Sequence, residues 1–165
     1  MIRVLFVCMG NICRSPIAHG VLEQLLHEHE LAGDVAVDSA GTHAYHVGEP
    51  PDARARSALH ERGIDIGGQR ARRVCETDFA EYHYILAMDR DNVSSLVQQC
   101  PPRLANRIRL LLDYAPGIAQ REVPDPYYGG PDGFEKVIDL VELAIGGLIE
   151  ELGERVAKRD PNGES

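Results

Sequence analysis

The chain opens with a short apolar run rich in branched side chains, IRVLFV (residues 2–7). It passes through a tight segment, CMGNICRS (8–15), and reaches Pro16 with Ile17, Ala18, Val21, Leu22, Leu25 and Leu26 behind it at helical spacing. A strand, a loop and a helix therefore follow one another with almost nothing between them. The order then recurs. VAVDSAGT (35–42) predicts a second strand ending at Gly41, a polar loop runs to Pro51, and Asp52 caps a helix that stops at Gly63. YHYILAMD (82–89) predicts a third, buried strand; Asp89 opens a helix over RDNVSSLVQQC (90–100), which Pro101 and Pro102 close. Strands that alternate with helices predict an α/β fold, a parallel sheet covered on both faces.

Beyond residue 106 the pattern is less regular. RIRLLLDY (107–114) reads as a fourth strand or as the end of a helical turn, and REVPDPYYGGPDG (121–133) is too rich in proline and glycine to be anything but loop. Phe134, Val137, Ile138, Val141, Leu143, Ala144 and Leu148 mark a last amphipathic helix. KRDPNGES (158–165) reads as a disordered tail, which leaves residues 1–157 as a single domain, in keeping with a chain of 165 residues.

Charge and cysteine content exclude several kinds of function. Seventeen basic against twenty-six acidic side chains give a net charge of -9, which argues against nucleic acid as a partner. The apolar runs are too short for membrane insertion, and the MIRVLF start lacks a signal-peptide layout, so the expected location is cytoplasmic. The four cysteines, Cys8, Cys13, Cys75 and Cys100, lack zinc-ligand spacing and are too scattered for a disulfide framework. They are expected as reduced thiols, with Cys75 and Cys100 structural. The histidines show no ligand spacing, and no metal or cofactor is expected; HEHE (27–30) reads as a solvated helix end.

In parallel sheets of this kind ligands sit beyond the carboxyl ends of the strands, next to helix N-termini, and Cys8 stands at such a place. The segment between Cys8 and Arg14 is short enough to curl its backbone N–H groups toward one point, an anion nest joined to the positive end of a helix. Gly10 permits a positive φ there, and Asn11 tolerates a left-handed conformation while its amide braces the loop. Pro16 suits the first helical turn. Such surroundings favour a thiolate over a thiol. Ser15 can donate to that thiolate, and the planar fork of Arg14 can grip two phosphoryl oxygens.

With that strand before it and that helix after it, VCMGNICRSPIA resembles the signature loop of the low-molecular-weight protein tyrosine phosphatases. DSAGT, MDRDN and VPDPYYGG are similar to further segments of that family, in its order and spacing, so the resemblance runs from Ile2 to about Arg155. It implies a four-stranded parallel sheet in the order 2-1-3-4 flanked by helices. It also implies that Cys8 is the nucleophile and forms a cysteinyl-phosphate. Arg14 and the loop residues Met9, Gly10, Asn11, Ile12, Cys13 and Ser15 would bind the phosphate, and Asp125 would be the general acid. Asn11, Ser15 and Ser39 would brace the loop from behind, and Ile12, Tyr45, Tyr127 and Tyr128 would border the substrate cleft. A second loop cysteine in this family can form a reversible disulfide with the nucleophile, which would give Cys13 a redox role.

Two relatives of the same fold make other demands. Arginine phosphatases typically carry threonine where this chain has Ile12, and an apolar side chain favours a phenyl ring over a guanidinium. Thiol-linked arsenate reductases need two further cysteines close together, whereas twenty-four residues separate Cys75 from Cys100. A module that only bound phosphate would have no use for a general acid. The resemblance thus implies a phosphotyrosine hydrolase acting on phosphotyrosine-containing proteins, a bacterial tyrosine kinase among them, as a monomer or weak dimer.

Overall fold

The computed structural model describes residues 1–127, 129, 130 and 132–159. Four parallel strands form one sheet: β1 (Ile2–Cys8), β2 (Val35–Gly41), β3 (Tyr84–Ala87) and β4 (Ile108–Leu110). Their spatial order is β2-β1-β3-β4, and the register sets Cys8 opposite Gly41 and Val7 opposite Ala87. The helices are α1 (Arg14–Glu28), α2 (Ala53–His60), α3 (Asp78–Glu81), α4 (Arg90–Gln99) and α5 (Asp132–Arg159).

Successive side chains of a strand point to opposite faces, and β1 uses both faces for core. Ile2, Val4, Phe6 and Cys8 pack with Ile17, Val21 and Leu22 of α1, Leu59 of α2 and Val137, Val141 and Leu148 of α5. Leu5 and Val7 face the other way, toward Phe79 of α3 and Leu96 of α4. Burial on both sides explains why β1 reads as a continuous apolar run instead of an alternating one. It also fixes the strand's carboxyl end, and with it the position of Cys8.

The sequence left RIRLLLDY open between strand and helical turn, and both are present. Ile108–Leu110 pairs with β3, and Leu111–Tyr114 coils into a 3-10 turn. α3 and a second 3-10 segment, Pro102–Arg107, are too short to carry a periodic signal and were not anticipated. α5 continues through Lys158 and Arg159, the first two residues of the expected tail, while residues 160–165 lie outside the described part. Among the described residues no helix is long and apolar enough to cross a membrane.

Candidate active site

β1 ends at Cys8 and α1 begins at Arg14, so the connecting loop must reverse direction within five residues. Its carbonyls are taken up by the neighbouring segment: Thr42 N–H donates to Cys8 C=O, His43 N–H to Met9 C=O, and Asp52 N–H to Ile12 C=O, at 2.9, 3.0 and 2.8 Å. That segment comes so close that a Cβ on Gly41 would stand 2.8 Å from the Met9 carbonyl oxygen, which only glycine avoids. Of the two residues that the sequence allowed a positive φ, Asn11 takes it, with φ 58°, and Gly10 does not. Gly10 answers a different constraint, because a Cβ there would press on the His46 ring at 3.1 Å.

Asn11 gains three bonds from its unusual backbone. Its amide nitrogen donates to Ser15 Oγ at 2.8 Å and Ser39 Oγ at 2.9 Å, while its Oδ1 accepts from Arg72 N–H at 3.0 Å. Ser15 Oγ lies 3.0 Å from Cys8 Sγ. Because Ser15 already accepts from Asn11, its own proton is available to the sulfur. Asn11 N–H points at the same sulfur from 3.3 Å. Two donors therefore converge on the Cys8 sulfur, beside the N-terminus of α1.

Cys13 is a different thiol. Both cysteines are buried and free, but burial, together with Asp52, Cys8 and Asp125 and against the pull of Arg54, pushes the Cys13 thiol up to about 12. Of the other two, Cys100 is buried in the core, whereas Cys75, expected as structural, is exposed and lies by Thr77 and Asp78. A turn on the surface needs no packed thiol, which accounts for the difference.

Arg14 is buried at the floor of the cleft with its charge intact. Burial alone would make it less basic, but the opposing charges of Cys8, Asp89 and Asp125 hold it above its ordinary value. Its Nη1 donates to Asp89 Oδ2 at 2.6 Å and to the Val123 carbonyl at 3.0 Å. One edge of the fork is thereby anchored, and the Nη2 edge turns toward Asp125, whose carboxylate lies 3.7 Å away. Asp89 was read only as a helix start. It does cap α4, with its Oδ1 accepting from Asn92 N–H at 2.8 Å, and it uses its other oxygen to aim Arg14.

Cys8, Arg14 and Asp125 share one cleft of about 230 Å³ with Met9, Gly10, Ile12 and Cys13, and Tyr45, His46 and Tyr127 stand at its edge. Asn11, Ser15 and Ser39 lie buried behind the loop. Asp125 is exposed, and its Oδ1 accepts from Tyr127 N–H at 3.0 Å, a turn that fixes the carboxylate relative to the ring. Tyr127 is itself gripped by Arg54, which donates to its carbonyl at 3.2 Å and lies over its ring at 5.4 Å. Asp52 fixes Arg54 in turn, at 2.9 Å.

Across the cleft His46 faces Tyr127, with ring centroids 6.4 Å apart. Tyr45 borders the cleft but is 70% exposed and stacks on His43, so the inner part of that wall is His46. Tyr128 lies outside the described residues. His46, Arg54 and Asp89 are the residues that sequence reasoning missed. Only Asp89 carried a signal, an aspartate directly after a buried strand.

The family model for low molecular weight phosphotyrosine protein phosphatase matches residues 3–158. The chain belongs to the low molecular weight phosphotyrosine protein phosphatase family. Its similarity to members of that family spans nearly the whole length of both partners. The Bacillus subtilis low molecular weight protein-tyrosine-phosphatase YfkJ is 40% identical over 149 residues, covering 90% of this chain and 94% of the relative. The human low molecular weight phosphotyrosine protein phosphatase is 41% identical over 140 residues, covering 81% and 85%. A crystal structure of a protein tyrosine phosphatase from Entamoeba histolytica superposes with a TM-score of 0.90 at 42% identity, covering 93% and 98%. The strand order that the resemblance implied is the order observed.

Proposed function

We propose that this chain hydrolyses phosphotyrosine in proteins, with Cys8 as nucleophile, Arg14 and the loop as phosphate cradle and Asp125 as general acid. The observation that carries this reading is the convergence of three groups on one small cleft. They are a sulfur with two hydrogen-bond donors, an anchored guanidinium and a carboxylate at the rim.

The Cys8 thiolate attacks phosphorus, an S–P bond forms, and the bond from phosphorus to the phenolic oxygen breaks. Protonated Asp125 gives its proton to the departing phenolate; its carboxylate then takes a proton from a water that attacks phosphorus. The S–P bond breaks, inorganic phosphate leaves and the thiolate returns. Arg14 and the loop hold the phosphoryl oxygens through both steps, which is where charge develops. Ile12 at the floor and the His46 and Tyr127 rings at the walls suit a phenyl ring.

The partners this chemistry fits are phosphotyrosine-bearing proteins, a tyrosine kinase among them. A nucleophilic thiol fits a reducing compartment such as the cytoplasm. Matched phosphotyrosine, phosphoserine and phosphoarginine peptides test the reading. Phosphate should be released from the phosphotyrosine peptide alone and vanadate should block it; faster release from either other peptide overturns it.

A further inference from the structure

A larger cavity, about 670 Å³, opens at the other end of the sheet. His83 and Tyr84, at the amino end of β3, line it. Tyr84 pairs with Val4, and Cys8 lies four residues further along β1, about 13 Å away at strand rise. The cavity is thus separate from the cleft and shares no lining residue with it.

Its charge runs against that of the molecule. In a chain of net charge -9, the side chains of Arg103, Arg107, Arg109, Arg155 and Lys158 line this one hollow. Arg14, Arg54, Arg62, Arg72 and Arg90 are each paired with a carboxylate, but among the described residues none of these five lies within 4.0 Å of one. Two carboxylates share the lining, Glu151 and Glu154, so cations outnumber carboxylates there by five to two. Arg107 is held open by main-chain carbonyls of Ala80 and Tyr82, at 3.0 Å each, and Arg155 lies over the Tyr84 ring at 5.3 Å. Both guanidiniums are therefore oriented before any ligand arrives. The excess of cations is felt by His83, whose imidazole is made less basic by burial and then by Arg155, Arg107 and Arg159.

We propose that this cavity is a second anion site, which takes a compact ligand bearing phosphoryl groups. Two preoriented guanidiniums with three further cations in one concavity match phosphoryl oxygens, and a volume of this size suits a small ligand. A long polyanion such as nucleic acid is disfavoured, since the attraction is confined to the hollow and the remaining surface repels it. The ligand can be a free polyphosphate or a second phosphate on the protein substrate, and the two sources are separable by experiment.

Calorimetry with tripolyphosphate should show two sites per chain. Charge reversal at the exposed pair, Arg103→Glu with Arg109→Glu, should leave one site and weaken the other about tenfold or more. Turnover of a small aryl phosphate should be unchanged. Arg70→Glu with Lys136→Glu, an equal change of net charge elsewhere, should keep both sites. If the reversed variant folds poorly, Arg103→Gln with Arg109→Gln gives the same readout.

If the phosphate arrives on substrate, KM for a doubly phosphorylated peptide should rise about tenfold in the cavity variant, with kcat and the singly phosphorylated peptide unaffected. If it arrives free, only tripolyphosphate binding changes. A single site in the native protein, or equal loss in the two charge-reversed variants, overturns the proposal. Binding is read without turnover, so failure here leaves the phosphatase reading intact, and the reverse also holds.

Discussion

The loop from Cys8 to Ser15 and the segment around Asp125 meet in one cleft but are built on opposite principles. The first is buried almost throughout, and its side chains and carbonyls are bonded into β2, α1 and the segment before α2. The second lies at the surface, where Arg14 and Arg54 hold the carbonyls of Val123 and Tyr127 on either side of an exposed carboxylate. The difference follows the chemistry. A phosphoryl group has the same shape in every substrate, and its stabilisation in the transition state depends on donors that need not reorganise. The leaving group belongs to a protein whose surface varies, and a proton is best delivered to it from the rim.

The contrast breaks most visibly at its centre. Cys8→Ser should abolish turnover of phosphotyrosine peptide while leaving vanadate binding measurable by calorimetry. Normal turnover in that variant would show that the buried loop only binds. Asp125→Ala should slow a phosphotyrosine peptide by about 10²–10⁴-fold but an aryl phosphate with a good leaving group much less. Equal slowing of the two would place Asp125 in the cradle instead of at the rim.

Asp89→Asn sharpens the comparison, because asparagine preserves the cap of α4 and removes the charge that aims Arg14. We expect kcat to fall about tenfold, about 1.4 kcal/mol, with Tm almost unchanged. A loss of stability with no change in kcat would make Asp89 a cap and nothing more. The smallest expected effect concerns the two loop thiols. Cys13 holds its proton up to about 12, above the ordinary 9.0, and is a thiol at pH 8. Iodoacetamide at that pH should therefore label Cys8 and spare Cys13, as peptide mass spectrometry would show.

Much of this was legible before any coordinates. The strand, loop and helix around Cys8 are contiguous, so burial on both faces of β1 and the proline in the first turn of α1 wrote themselves into adjacent residues. The contacts that tune the site are not contiguous. Asp89 lies 75 residues from Arg14, and Tyr127 lies 73 from Arg54, distances over which no periodicity connects one side chain to the other. The need for Gly10 has the same origin. Asn11 takes the left-handed conformation that its side chain tolerates, but the His46 ring that crowds a Cβ on Gly10 is brought in by a separate loop. Likewise Tyr45 and His46 are neighbours in sequence, and the stack on His43 draws Tyr45 outward.

That the buried loop performs covalent phosphoryl transfer, with the rim carboxylate moving only protons, is tested most directly by trapping the intermediate. Asp125→Ala enzyme is mixed with an aryl phosphate that has a good leaving group, quenched within the first turnover, and mapped by peptide mass spectrometry. We expect a phosphate adduct on Cys8 and a burst of released phenol equal to the enzyme present. Phenol release with no adduct at all, or an adduct on any other residue, would contradict this mechanism.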